Sequence, residues 1–153
     1  MKKTLCLLMA FVLFVAAAGC GAKEPEVKDP FDPVVTAKSL IDAGVFSAEM
    51  IEFDHNLLFQ LPEDPAGYQG SAVYFNVYGI SEVVAVIRAA DEASATAVEQ
   101  ALSDWVKTNK IGESNYRPAE AEKLDHAILE VRGNTVLLVV AADAEKAKSV
   151  ISK

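Results

Sequence analysis

From residue 70 onward the chain repeats one order of local patterns: two β-type runs, then an aspartate that opens a helical stripe. In the first unit Val73, Phe75 and Val77 alternate with Tyr74, Asn76 and Tyr78, and Gly79-Ile80-Ser81 reads as a three-residue hairpin loop. The return run, residues 82–90, puts Val83, Ala85, Ile87 and Ala89 on one face and Glu82, Val84, Val86 and Arg88 on the other. This register sets Val77 opposite Val83 and Tyr78 opposite Glu82. Asp91 then caps a helix in which Ala97, Val98, Ala101, Leu102, Trp105 and Val106 recur at i, i+3 and i+4, ending between Asn109 and Gly112. Residues 113–125, polar and containing Pro118, read as a connector. In the second unit residues 126–132 and 135–142 flank Gly133-Asn134, a two-residue turn that tolerates positive φ. It pairs Val131 with Val136, Leu129 with Leu138 and Ala127 with Val140. Asp143 caps a last helix whose inner side is Ala144, Ala147, Val150 and Ile151.

Short connections and right-handed crossovers favour one antiparallel sheet of four strands in the order 70–78, 82–90, 135–142, 126–132. The fold class expected is α+β, with both C-terminal helices on one face of the sheet. The opposite face would carry Tyr74, Tyr78, Val84, Val86, Ile128, Leu137 and Val139, too apolar a set to meet water without a cover. The expected cover is residues 33–68; a partner chain or a dimer is the alternative. Within that segment Asp32-Pro33 has the form of a helix start. Val34, Ala37, Leu40 and Ile41 follow at helical spacing, and Gly44 supplies an end. Residues 47–69 contain packable side chains such as Met50, Phe53 and Phe59, broken by Pro62, Pro65 and Gly67.

The first twenty residues read as an address. Lys2 and Lys3 precede an apolar run from Leu5, and the run closes in Ala16-Ala17-Ala18-Gly19-Cys20. That is a basic region, a short apolar region and a small-residue cleavage zone. Residues 5–18 fall short of the roughly 20 apolar residues that a membrane span needs. Ala17-Ala18-Gly19-Cys20 resembles the bacterial lipobox, with Ala17 departing from the usual leucine. The resemblance implies cleavage before Cys20 and a diacylglycerol thioether on it, an anchor worth about 0.8 kcal/mol per buried methylene. The expected organisation is a signal peptide over 1–19, the lipidated Cys20 and a flexible tether over 20–32, and a single domain over 33–153. Cys6 leaves with the signal peptide and Cys20 is taken by lipid, so the mature chain has neither a disulfide nor a thiol nucleophile.

The apolar run 83–87 with Arg88-Ala89-Ala90-Asp91, and the acidic, alanine-rich helix after it, form one piece of a wider pattern. Tyr116-Arg117-Pro118 with Lys123-Leu124, Ala127-Ile128-Leu129, Gly133-Asn134 and residues 136–143 complete it. Together they resemble the short lipoproteins of Gram-positive, clostridial-type bacteria that are classed as a domain of unknown function. The resemblance spans roughly residues 33–152. It implies a place on the outer leaflet of the cell membrane and carries over no catalytic residues.

Loss of Lys2 and Lys3 takes the net charge from −8 to −10, a poor balance for binding nucleic acid. Two histidines stand in matching pairs, Asp54-His55 and Asp125-His126, but nothing in the sequence brings them together as metal ligands. Ser71 follows Gly70, yet Val73 stands where a nucleophile elbow needs glycine. Glu82 and Glu130 share a sheet face as candidate paired carboxylates, and Glu82 reads as a solvated residue at a hairpin end. The other acids, Glu120 and Glu122 among them, read as solvated. No cofactor or metal is implied. The candidate binding surface is Tyr74, Tyr78 and Glu82, because tyrosines four apart on one strand share a face. The function expected is a membrane-anchored, non-catalytic binding or interaction module with an envelope protein as partner. A small-ligand-binding lipoprotein and a cell-wall-acting enzyme are the alternatives.

Overall fold

Gly133, at φ 53, closes the second hairpin in the expected register: β4 (Ile128–Arg132) meets β5 (Thr135–Val140) with Val131 opposite Val136 and Leu129 opposite Leu138. The structure is a computed structural model that describes residues 28–153; the expected signal peptide, Cys20 and residues 21–27 of the tether lie outside it. β3 (Val83–Arg88) pairs antiparallel with β5, placing Val84 opposite Val139 and Val86 opposite Leu137. β2 (Ala72–Asn76) pairs with β3. The order of these four strands is the expected one. A fifth, β1 (Met50–Glu52), adds to the free edge of β2, so the sheet runs β1-β2-β3-β5-β4. Three residues are too few for alternation to announce a strand.

The first hairpin departs from its expected register. Phe75, not Val77, lies opposite Val83, and β2 ends at Asn76. The cause is the buried Asn76 carboxamide, which organises a longer turn. Its oxygen accepts from the N–H groups of Tyr78 and Ile80, at 3.0 and 3.1 Å. Its nitrogen donates to the carbonyls of Ile80 and Glu82, at 2.8 and 3.0 Å. The slip is two residues, so every strand side chain keeps its face. Tyr78 and Glu82, however, are no longer opposite one another.

Each face of the sheet has its own core. Val73, Ala85, Ile87, Val136 and Leu138 lie under α3 (Glu92–Ser114), which buries Ala95, Val98 and Leu102. The other face, with Ala72, Val84, Val86, Leu137 and Val139, is covered by α1 (Pro33–Asp42) through Ala37 and Leu40. The N-terminal segment thus supplies the expected cover. It shares the task with α5 (Ala144–Ile151), which buries Ala147 and Ile151 there. This corrects the expectation that both C-terminal helices lie on one face. The Asp143 N–H donates to the Val45 carbonyl at 3.0 Å, which turns the chain leaving β5 towards α1 rather than towards α3.

Local structure also departs from the sequence expectation. α3 continues through Gly112 to Ser114, giving 23 residues and a length of about 34 Å, against about 20 Å for a six-residue strand. Its C-terminal turns overhang the sheet, and Ile111 is exposed there. The expected connector contains a helix, α4 (Pro118–Asp125), opened by Pro118 and burying Ala121 and Leu124. α2 (His55–Leu58) is a single turn capped by the Asp54 carboxylate. Phe31, expected in the tether, is buried in the α1-side core. Trp105 is half-buried, with its ring edge-on to Phe59 at 5.3 Å.

Candidate functional site

The sheet end where β3 starts and β5 finishes collects most of the unusual chemistry. Glu82 immediately precedes β3, and its carboxylate is 0% exposed. A buried charge survives only when paired and hydrogen-bonded. One oxygen accepts from the Ser47 N–H at 2.7 Å; the other accepts from the Ser47 hydroxyl at 2.5 Å and from Lys123 Nζ at 2.8 Å. The same ammonium reaches Glu120 at 2.9 Å, and the second Glu120 oxygen accepts from the Ser81 N–H at 2.7 Å. Burial pushes the Glu120 carboxyl up, but the Ser81 N–H and the Lys123 ammonium outweigh it and hold the group below its ordinary value. Burial likewise depresses Lys123, and the two carboxylates overcome this and hold it above its ordinary value. One cation between two carboxylates therefore ties α4, the start of β3 and the α1–β1 loop together. Among the described residues no buried side-chain polar atom lacks a partner.

Next to this network the β2–β3 turn meets the α3–α4 junction. Arg117 donates to the Gly79 carbonyl and pairs with Glu113 one helical turn before it. Two segments are thereby fixed side by side, and both present large apolar side chains to solvent. Val77 and Tyr78 are 60% and 69% exposed on the turn, and Tyr116 is 87% exposed at the junction. On the other side of α4 a cleft of about 600 Å³ opens towards the β5–α5 junction. Glu122, Lys123 and His126 line one wall, and Asp143 and Glu145 the other.

The residues proposed as a binding surface are dispersed. Tyr74 packs half-buried on the α1 side, Tyr78 stands out in the turn, and Glu82 is buried. The reading of Glu82 as a solvated hairpin-end residue is overturned by its three donors, and so is that of Glu120. Glu130, the proposed partner of Glu82, sits on the edge strand β4, paired with Lys28 and Arg132. Its carboxyl is pushed up by burial, and the Lys28 and Arg132 contacts more than offset this and leave it lowered. His55 stacks edge-on against Tyr68, whereas His126 caps α4. Among the described residues no three His, Cys, Asp or Glu side chains are grouped to hold a metal. Ser71 accepts the Arg88 N–H in the sheet. Sequence reasoning missed Ser47, Glu120 and Lys123. The one available signal was Pro118 followed by the i, i+3 pair Glu120 and Lys123, a helix start with an ion pair on it.

Residues 58–141 match the model of the family described as Domain of unknown function (DUF4358). The matched segment contains Glu82, Glu120 and Lys123 and leaves out Ser47. No curated protein and no solved structure matches the chain. Among the described residues no helix is long and apolar enough to cross a membrane.

Proposed function

The chain belongs to the DUF4358 family, a domain of unknown function, and within it we propose a lipid-anchored, extracytoplasmic, non-catalytic interaction module of a Gram-positive cell envelope. The observation that carries the reading is the corner where Val77 and Tyr78 meet the segment bearing Tyr116. Aromatic side chains with an apolar body and a polar tip are the groups that protein interfaces favour. Here they are exposed on segments that Arg117 and the Glu82–Lys123–Glu120 network hold still. Rigid presentation lowers the ordering cost of binding. The carboxylates nearby already accept from protein donors, which supports a structural role for them over acid–base work. The lipid anchor is supported by the lipobox-like Ala17-Ala18-Gly19-Cys20. The partner proposed is a protein of the envelope.

The test is a photo-crosslinking side chain at position 78 in growing cells, with the exposed Lys146 position as control. An adduct at 78 that is absent at 146, and lost on Tyr116→Ala with an unchanged melting temperature, supports the module. Equal adducts at both positions, or none, refute it. A second reading, a small-ligand-binding lipoprotein, is favoured by the cleft between α4 and the β5–α5 junction. A ligand-dependent rise in melting temperature that is lost on His126→Ala would select it.

A further inference from the structure

We infer that the β4–β5 hairpin end of the domain, with the first turn of α1, lies against the lipid surface, and that the Tyr78 corner points away from it. The inference rests on the lipid at Cys20 proposed above. The path of the entering chain carries it. Phe31 is buried, its N–H donates to Thr135 Oγ1 at 2.8 Å, and the Arg132 guanidinium stacks over its ring at 4.0 Å. Pro30 lies so close to Gly133 that a Cβ there would come within 3.0 Å of its ring. Lys28 reaches Glu130 at 2.8 Å. The chain therefore joins the fold at the turn of the β4–β5 hairpin, and residues 30–31 are part of the domain.

Seven residues, 21–27, separate Cys20 from Lys28. The eight Cα steps from Cys20 to Lys28 reach about 28 Å when fully extended, and a flexible chain of that length averages about 15 Å end to end. The Tyr78 corner lies a strand length, about 20 Å, beyond the hairpin turn. Laying that corner on the bilayer would stretch the tether along the side of the domain well beyond its average span. Laying the hairpin end on it costs no such stretch.

The hairpin end also has the chemistry of an interfacial surface. Val34 and Val35, on the first turn of α1, are 45% and 61% exposed directly after the docked Phe31. Lys28 and Lys153 are exposed nearby, the latter beyond Ile151, whose carbonyl accepts from Arg132. Of the acids at this end, Asp32 caps α1 by accepting from the Val35 N–H, Glu130 is paired and Asp29 is exposed; Asp64 and Asp91, which accept from the Ala90 and Ser94 N–H groups, and the exposed Glu92 lie on the α3 side of the turn. On the α1 side of this end the two exposed valines, with Lys153 and the Glu130-paired Lys28 beside them, suit the headgroup region of a bilayer, whereas the acidic α3 side does not.

The experiment uses the mature lipidated chain in phosphatidylglycerol-rich vesicles, with one nitroxide label at Val35→Cys or at Val77→Cys, both exposed sites. Vesicle flotation reports the anchor, and collision of the label with an aqueous nickel chelate reports the orientation. The expected result is flotation of both proteins, with nickel access falling severalfold at position 35 relative to the unlipidated Cys20→Ser form and holding at position 77. Flotation with equal access at both positions, or with protection at 77, overturns the orientation and leaves the anchor standing. Failure to float overturns both.

Discussion

Replacing Lys123 by Met removes the cation that bridges Glu82 and Glu120 while keeping most of the side-chain volume. Glu82 is then a fully buried carboxylate facing a second one, held only by the two Ser47 donors. Breaking a buried ion pair by removing one partner costs about 3–5 kcal/mol. Lys123 is a fifth exposed and Ser47 remains in place, so the lower end, about 3 kcal/mol, is expected here. With a urea slope of about 2 kcal/mol/M for a domain of this size, the midpoint should drop by about 1.5 M. Glu82→Gln in the same background leaves a neutral amide where the uncompensated charge stood. The double variant should therefore be more stable than the sum of the two single losses by at least about 1 kcal/mol. Urea melts of the four proteins at pH 7, followed by Trp105 fluorescence, measure the cycle. A Lys123→Met midpoint within about 0.3 M of the parent, or strict additivity, would refute the view that this network staples α4 to the sheet.

Cys20→Ala should move the protein from the membrane to the soluble fraction and abolish palmitate incorporation; labelling that persists in this variant would end the lipid assignment. Leu102→Ala should cost about 3–4 kcal/mol and Trp105→Ala about 2–3, because Leu102 is fully buried under the sheet and Trp105 is half-buried. The reverse order in denaturation would show that the helix face is misplaced. An acid held below its ordinary value contributes stability that is in place above the usual carboxylate range and is lost as pH falls through its folded value. Glu120→Gln should therefore flatten the loss of stability between about pH 5 and pH 2, and parallel pH profiles would contradict the direction assigned to Glu120.

The legibility of this fold follows the range of the interactions behind each element. Gly133-Asn134 and the alternation around it depend on neighbours a few residues apart, and the β4–β5 register was readable from them. The Asn76 turn was not readable, because its register depends on one side chain accepting and donating four bonds inside the loop. The Asp32, Asp91 and Asp143 caps were readable as local bonds to the first helical turn. The helix over 118–125 was hidden by its polarity, since Ala121 and Leu124 are its only buried apolar side chains and the third buried one is Glu120.

By itself the sequence determined the α+β class, the order of β2, β3, β5 and β4, the two-faced apolar character of the sheet and the lipobox-like pattern at Cys20. These follow from periodicity and from local chemistry. Only the tertiary structure decided that α5 joins α1 and not α3. It also decided that residues 30–31 dock on a hairpin about a hundred positions away. Above all it decided the state of Glu82. Its donors come from Ser47, 35 positions earlier, and Lys123, 41 positions later. A carboxylate at the start of a strand is solvated or buried according to whether such partners converge on it, and no local pattern encodes that convergence.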